Sequence, residues 1–543
     1  MIKTVLAVLL AAIFASVAAA SSLDEVGVTA LRAVTTNLNG EGIVVGQPES
    51  SETTNDLTWE VNPTSPDRAA SIFTYTSFGG TANIFPNDLG QESSHADVVG
   101  QLFYGTYSAP DYGSPAGVAT NVARVDNSEA DFYYSNYIAS ASLPNAGDAV
   151  VNQSFTFGAL SASDQEQVDS QYDNYSDQNQ TLFVSAADNP GNSPTVSAPG
   201  TSYNCISVGA YYEFNYYNSI GPTVDNGRCK PDITAIAWET SFSTPLVAGA
   251  AAVLMQAALR GDGGSNTNSA FDMRTIKALL LNGAVKPANW TNSTASPLDA
   301  RYGAGVLNLL NSYEQLAGGK YGFIATSSVS PMGSAHPPTG ATGSIPILSG
   351  WDFNTNSSGL TSDQVNHYYF NVTNNNSSAE FTAIATLVWN RQQNQSDINH
   401  LSLFLYNCAN SNLVLCSTSL VDNVQHIYMP QLASGRYDLQ VWKAGGFAGG
   451  VPGIGIVSAA ETYALAWEFT SSPSLAITLS GTNALITWPL YPAGFLVETT
   501  TNLISPIWST NGISAPAIAN GQNSLLLNST NDVQFFRLSY PNL

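Results

Sequence analysis

Ser241 lies at the start of a long apolar run whose first residues include Pro245. An apolar surface on every side predicts a buried helix, and proline fits its first turn because the backbone N–H groups there have no partner within the helix. The helix dipole would place partial positive charge beside the hydroxyl. This setting suits a serine nucleophile whose attack creates negative charge nearby.

A serine hydroxyl is a weak nucleophile at neutral pH, so it needs a base, and the base needs an acid to orient it. The chain has five histidines, and only His95 lies in the half where predicted strands and helices alternate. Val98, Val99 and Leu102 follow it at helical spacing, which predicts a helix that begins near His95. Alone, such a histidine could cap a helix or lie on the surface; paired with Ser241, it is the predicted base.

These segments resemble the motifs of the subtilisin-like serine peptidases. Ser241–Gly249 resembles their nucleophile motif, and His95–Gly105 aligns with their histidine helix. Lys230–Asp232 and Tyr302–Asn308 resemble the segments that lead to the serine and close the domain. The resemblance covers roughly residues 22–318. It implies a three-layer α/β fold with a parallel sheet and a serine endopeptidase that works through an acyl-enzyme intermediate.

The same resemblance implies an acid at the end of the first strand. The aligned residue is Glu49, where the family usually has aspartate. Glutamate is one methylene longer and can still accept the imidazole N–H if the backbone sits back slightly. Asp88 and Asp97 remain alternative acids, and Glu49 could instead be an exposed carboxylate at a strand end. The order acid, histidine, serine is the one that the subtilisin type shows.

Further site residues follow from the resemblance. Asn189 is the implied side-chain donor to the oxyanion, although an asparagine before Pro190 could simply form a turn. The implied substrate-binding strand includes Asn152, Ser154 and Phe155. An edge of this kind pairs with the backbone of an extended peptide, so it selects extended chains rather than particular sequences.

Several glycines of the family are replaced here, by Ala96, Thr156, Asp188 and Glu239. Glycine allows a positive φ or a close backbone approach, so bulkier residues would narrow or distort the cleft. Because Asp188 and Glu239 are acidic and expected near the pocket, we predict that they bind substrate and favour basic side chains at the cleaved bond. The same replacements leave open a catalytically inactive member of the fold that only binds.

Composition limits the partners. The net charge is −24 and the pI is near 4.2, which argues against nucleic acid because phosphate binding needs a basic face. Lys3, an apolar run and then three alanines at positions 18–20 predict a signal peptide over residues 1–20, hence a secreted or extracytoplasmic protein. The run is short for a membrane span, and no later stretch of about 20 apolar residues follows. Protein or peptide substrates are the expected partners.

The four cysteines fall as two local pairs. In an exported chain this pattern predicts the disulfides Cys205–Cys229 and Cys408–Cys416. Neither pair has zinc-ligand spacing, so we predict no cofactor and no zinc site. Calcium is common in the resembled family, so a structural calcium ion is possible, but no ligand-spaced group of aspartates places it here.

The pattern of elements changes near residue 319. The helices predicted before it are Asp24–Thr35, His95–Tyr104, Phe242–Leu259 and Met273–Leu281. After the signal peptide we expect a catalytic domain over 21–318, a β-sandwich or jelly roll over 319–471, and a small immunoglobulin- or fibronectin-like domain over 472–543.

The role of the β domains stays open at this point. They are expected to be accessory, with possible contact to a surface or a polysaccharide. Trp442 and Trp488 could contact sugars, although core packing is the favoured use of both. A surface- or carbohydrate-binding β protein, with the N-terminal half as a scaffold, is therefore the remaining alternative function.

Overall fold

The computed structural model describes residues 22–51, 57–106, 116–190, 193–212, 215–329, 333–373, 380–445, 458–480, 483–528 and 533–540. The predicted signal peptide therefore lies outside the described residues. Helices in these ranges are α1 Ser22–Glu25, α2 Val28–Val34, α3 Ser94–Tyr104, α4 Ala130–Tyr133, α5 Ala162–Asn179, α6 Thr240–Arg260, α7 Thr267–Phe271, α8 Met273–Asn282 and α9 Leu309–Gly318.

Strands in the first half form one sheet with a small ribbon beside it. They are β1 Val44–Glu49, β2 Thr58–Glu60, β3 Phe73–Ser77, β4 Gly80–Ala82, β5 Gln91–Glu92, β6 Arg124–Glu129, β7 Val150–Gln153, β8 Leu182–Ala186, β9 Ile206–Tyr212, β10 Asn215–Tyr216 and β11 Ile233–Ile236. The order is β10-β9-β8-β7-β1-β6-β3-β4, with β11 parallel to β9. The neighbouring strands in the row β9-β8-β7-β1-β6-β3 are all parallel.

Helices cover both faces of this sheet. Strands β7 and β8 are buried along their whole length, as expected for a parallel sheet between two helical layers. Val150 and Leu182 share a core with α6, whereas Val151 and Phe183 point the other way and pack with Tyr172 of α5. The predicted three-layer α/β class is therefore confirmed.

Helix α6 crosses the centre of the domain. Its residues from Ser243 to Ala258 are buried, because the sequence gives it no polar face. It ends at Gly261, whose φ of 88° is the left-handed conformation that glycine adopts most readily. Among the described residues it is also the helix long and apolar enough to cross a membrane, and 89% of its most apolar window is buried inside the domain.

The second half is antiparallel. Its strands are β12 Ala325–Val329, β13 Ser349–Ser357, β14 Asp363–Val372, β15 Glu380–Trp389, β16 Leu401–Asn407, β17 Leu413–Ser417, β18 Val424–Ala433, β19 Gly435–Lys443, β20 Ala460–Ser471, β21 Ala476–Ser480, β22 Asn483–Pro489, β23 Leu496–Thr500, β24 Ala517–Ala519, β25 Gln522–Asn528 and β26 Phe535–Ser539. Sheets β12-β14-β19-β16-β17 and β13-β20-β15-β18 form a sandwich with one apolar core. The last strands form sheets β21-β22-β25-β24 and β23-β26. Trp442 and Trp488 are buried.

The sandwich packs directly on the α/β domain. Helix α8 contacts β15 and β20, and α9 contacts β13. Trp351 of β13 belongs to the same apolar core as α6, and its indole N–H donates to the carbonyl of Leu316 at 3.1 Å. The apolar core therefore continues across the predicted boundary at residue 319.

Charged groups also cross this boundary. Arg391, which follows β15, donates to Asp173 at 2.8 Å and to Glu166 at 2.6 Å, both on α5. The ring of Tyr203 lies 4.9 Å from the Arg391 guanidinium and 4.1 Å from that of Arg228. Arg391 is almost completely buried, so this contact depends on both halves being in place.

The structure contradicts both predicted disulfides: all four cysteines are free. In the hairpin of β16 and β17, Cys416 pairs with Phe404, four residues before Cys408. At about 3.3 Å per strand residue, the two cysteines are roughly 13 Å apart along the strand, beyond the reach of a disulfide. The short spacing of the two cysteines in the sequence suggested a disulfide, but it does not determine the register of the two strands.

The other pair is separated by side-chain direction. The Cys205 thiol lies 3.1 Å from the carbonyl of Ser202 and 3.7 Å from Nζ of Lys230. Cys229 lies beside Asp422 instead, where burial and the carboxylate raise the pKa of its thiol. The two thiols therefore have different neighbours, Lys230 for Cys205 and Asp422 for Cys229.

Candidate active site

Glu49 and His95 meet at the carboxyl end of the central strand. Glu49 is the last residue of β1, and His95 is the second residue of α3, whose N-cap Ser93 accepts a hydrogen bond from the Ala96 backbone N–H. His95 Nδ1 lies 3.1 Å from Glu49 Oε2. The carboxylate is buried, whereas the imidazole is about one-third exposed. A buried acid therefore holds a histidine that solvent and substrate can reach.

A buried chain of hydrogen bonds holds the Glu49 carboxylate. Gln47 Nε2 donates to Glu49 Oε1 at 2.8 Å and to the carbonyl of Ala96 at 3.0 Å. The Tyr104 hydroxyl donates to Gln47 Oε1 at 2.6 Å. Burial raises the pKa of Tyr104 well above its usual value, so the phenol stays protonated and remains a donor. Sequence analysis missed Gln47 and Tyr104, although Gln47 lies two residues before Glu49 on the same face of β1.

The two alternative acids face elsewhere. Asp97 Oδ1 accepts a hydrogen bond from the Asn62 backbone N–H at 2.7 Å, and burial raises the pKa of Asp97 to about 7. Asp88 lies exposed in the loop after β4. The His95 imidazole contacts the carboxylate of Glu49.

Ser241 is the second residue of α6 and is half-buried. Its hydroxyl donates to the carbonyl of Ser154 at 3.3 Å, and the Ser154 hydroxyl donates to the carbonyl of Ser241 at 2.8 Å. Asn152 supports Ser154 through a 3.1 Å hydrogen bond from its amide. The ring of Phe242, the next residue, lies 5.9 Å from the His95 ring. The imidazole is therefore at the same end of α6 as the serine.

Asn189 lies beside the same helix end. Its side-chain oxygen accepts hydrogen bonds from the backbone N–H and the hydroxyl of Thr240, each at 3.0 Å. These two bonds fix the orientation of the amide, and its NH₂ group is the end directed away from Thr240. A donor is therefore held next to the first turn of α6, where the backbone N–H groups of the helix also point.

Asp188 precedes Asn189 and has a φ of 81°, a conformation typical of glycine. Asp188 therefore keeps the backbone conformation that a glycine would adopt at this position. Asp188 Oδ1 accepts the Asn189 backbone N–H at 2.8 Å, which is the local hydrogen bond that lets aspartate tolerate this region. Asp188 is 3% exposed, which argues against direct pairing with a basic substrate side chain.

The remaining predicted residues border the site. Phe155 is half-buried, and its ring lies 6.4 Å from that of Phe157. Glu239 is the N-cap residue of α6 and is half-buried, while Trp238 before it is 56% exposed and lies 4.9 Å from Phe242. In the described part of the chain, no group of three or more His, Cys, Asp or Glu side chains is placed to hold a metal ion.

Comparison with known proteins finds one family model that matches part of the chain. Residues 96–305 match the model of the Subtilase family; this span includes Asn189 and Ser241 and begins one residue after His95. No curated protein matches the chain. Similar solved structures include the prenylagaramide maturation protease PagA, which is 19% identical, with 53% of this chain and 98% of PagA covered and a TM-score of 0.37. A serine protease of Aeromonas sobria is 14% identical, with 93% and 89% covered and a TM-score of 0.35.

Proposed function

We propose that this chain, whose residues 96–305 match the model of the Subtilase family, is a secreted subtilisin-like serine endopeptidase that works through Glu49, His95 and Ser241. The observation that carries the proposal is the 3.1 Å contact between Glu49 and His95 at the end of α6 that bears Ser241. Proteins or peptides are the substrates.

The buried Glu49 carboxylate accepts a hydrogen bond from the Nδ1–H of His95, which leaves Nε2 to act as the base. The Ser241 hydroxyl turns from the Ser154 carbonyl toward the imidazole, gives up its proton to Nε2, and its oxygen bonds to the substrate carbonyl carbon. Catalytic hydrogen bonds are often long or misaligned before substrate binds.

The resulting oxyanion is stabilised by the Asn189 amide and the Ser241 backbone N–H. His95 then protonates the leaving amine as the C–N bond breaks, which leaves an acyl ester on Ser241. Water attacks this ester with His95 again as base, and the Ser241 oxygen takes the proton back. The substrate lies extended along residues 152–155, which continue β7 toward Ser241.

The first test is covalent labelling. A fluorophosphonate should modify Ser241 in the folded protein, and peptide mapping identifies the residue. The Ser241→Ala protein is the matched control and should not be labelled at this position. Casein digestion by the labelled and unlabelled wild type completes the test, because labelling should stop it. Folded protein that neither reacts nor digests casein would favour the inactive binding protein.

Export is tested separately. The full chain, expressed in a host with a general secretion pathway, should appear outside the cytoplasm with Ser21 as its new N-terminus. Replacing Ala18 and Ala20 with arginine should block this cleavage. Retention of residues 1–20 on the exported wild-type chain would contradict the predicted signal peptide.

A further inference from the structure

Two strand ends meet the first turn of α6. The segment after β7 reaches it through Ser154, which exchanges hydrogen bonds with Ser241. The segment after β8 reaches it through Asn189, which binds Thr240. A peptide whose carbonyl carbon contacts Ser241, with its oxygen toward Asn189, must therefore direct the side chain of that same residue between these two segments.

Three side chains occupy the space between these segments. The Thr156 hydroxyl, from the segment after β7, donates to Asp188 Oδ2 at 3.1 Å. The Ser197 hydroxyl donates to the same oxygen at 2.8 Å. We call this group the Thr156–Asp188–Ser197 bridge. It joins the two segments by side-chain contacts directly beside the nucleophile.

The backbone closes the far end of the same space. The Phe157 N–H donates to the carbonyl of Ala198 at 2.7 Å, and the Ser197 N–H donates to that of Ala187 at 3.4 Å. The segment around Ser197 thus contacts both walls and forms the floor. The bridge lies between the two segments and next to this floor, where a substrate side chain would enter.

Asp188 is held firmly in the bridge. Its carboxylate is nearly inaccessible, one oxygen accepts two hydroxyl groups, and the other accepts the Asn189 N–H. A large side chain could enter only by separating these groups and leaving buried polar atoms without partners, which is unfavourable. The negative charge faces donors of its own domain rather than the open cleft.

We propose that the Thr156–Asp188–Ser197 bridge restricts cleavage to bonds that follow glycine or alanine. The inference rests on the proposed peptidase function and names its substrate class. It replaces the sequence-based expectation of basic side chains, because Asp188 serves as the centre of the bridge. Thr156 and Ser197 determine specificity by occupying space that an open subsite would leave for substrate.

The test uses peptidyl diphenyl phosphonates that differ only in the residue bonded to phosphorus. Glycine, alanine, phenylalanine and lysine probes should be compared with a simple fluorophosphonate, which needs no side-chain subsite. The wild type should react with the alanine probe at least about 100-fold faster than with the phenylalanine or lysine probe. A wild type that reacts equally fast with phenylalanine or lysine would overturn the inference.

Two variants at one position separate filled volume from general damage. Thr156→Gly opens the space and should raise the ratio of phenylalanine to alanine labelling at least about tenfold. Thr156→Val keeps the volume but loses the hydroxyl, so it should keep the preference for alanine. An unchanged ratio in a folded Thr156→Gly protein would also overturn the inference.

The two proposals fail differently. If the fluorophosphonate does not label Ser241 in folded wild type, the peptidase function and the inference both fall. If it labels Ser241 but the phosphonates show no preference for small residues, only the inference falls. Thermal unfolding of each variant establishes that the labelled proteins are folded.

Discussion

The molecule contains two clusters that each bring together a serine, a histidine and an acid. One is the candidate active site of the α/β domain. The other lies in the sandwich, where Ser327 Oγ is 2.6 Å from His367 Nε2 and His367 Nδ1 is 2.8 Å from Asp438 Oδ2. Judged by distances alone, the sandwich cluster is the more complete triad.

The surroundings of the two serines differ. Ser241 is in the first turn of α6, where backbone N–H groups converge and Asn189 adds a donor. Ser327 is in the middle of β12, where successive N–H groups point to opposite sides of the strand. His367 is fully buried and stacked on Tyr369 with an interplanar angle of 6°, whereas His95 is partly exposed.

This contrast shows that a hydrogen-bonded serine, histidine and acid do not by themselves make a catalytic site. A nucleophile also needs donors for the oxyanion and an imidazole that can reach the leaving amine. The sandwich cluster joins β12, β14 and β19 by buried hydrogen bonds, and we expect it to stabilise the fold. The following predictions, from the largest expected effect to the smallest, test this division.

Replacing the two serines should give opposite results. Ser241→Ala should lower kcat for peptide hydrolysis by about 10⁶-fold, because the nucleophile is lost. Ser327→Ala should keep the wild-type rate and lower the free energy of unfolding by about 1 kcal/mol through the lost hydrogen bond. Peptide kinetics and urea unfolding measure both. A large loss of peptidase activity in Ser327→Ala would break the division.

The two acids provide the second comparison. Glu49→Gln should lower kcat by about 10⁴-fold, because an amide favours the wrong tautomer of His95. Asp438→Asn is the matched change in the sandwich and should leave kcat unaltered. Asp97→Asn, which keeps an acceptor for Asn62, should also leave it unaltered. If Glu49→Gln is as fast as wild type while Asp97→Asn is slow, the assignment of the acid is wrong.

Asn189 provides the third comparison, since we assign an oxyanion donor beside Ser241 and none beside Ser327. Asn189→Ala should lower kcat by about 10²–10³-fold, with little change in KM, because the donor acts on the oxyanion that forms during the reaction. Steady-state kinetics separate the two constants. A change confined to KM would show that Asn189 binds the ground state instead.

The smallest effect concerns pH and the sandwich cluster. Burial and the nearby His367 lower the pKa of His336, whose ring faces Trp442 and whose other charged neighbour is Asp363. At this site the unfolded chain therefore binds more protons than the folded chain just below about pH 6.5, so the contribution of His336 to the free energy of unfolding falls as pH decreases there. His336→Gln should flatten this dependence, measured by urea unfolding in the Ser241→Ala background. An unchanged slope would contradict it.

Predictions from the sequence succeeded where the signal lies in a short local motif. They failed where the structure depends on contacts between residues far apart in the chain. The motifs around His95 and Ser241 predicted two helices whose observed starts differ by one or two residues. The predicted helix Asp24–Thr35 is instead broken at Gly27, which has a φ of 77°. Helix α5 was not predicted, because its sequence is mostly polar and carries few apolar residues for a periodic stripe.

Contacts between distant side chains gave no sequence signal. The sandwich cluster joins β12, β14 and β19, which are far apart in the chain, so its histidine looked like any strand residue. Thr156 and Asp188 were noticed as missing glycines, but their mutual hydrogen bond depends on the meeting of two strand ends. The disulfide predictions failed for the same reason, since strand register decides which residues face each other.

Arg391 has a consequence for any attempt to use the α/β domain by itself. Excising the chain after Gly318 would uncover the apolar sides of α8 and α9, remove the cation that pairs with Asp173, and leave the Tyr203 ring with Arg228 alone. The fragment would carry every proposed catalytic residue, yet it would lack part of its own interior. The two halves are therefore best regarded as a single cooperative unit, to be transplanted together.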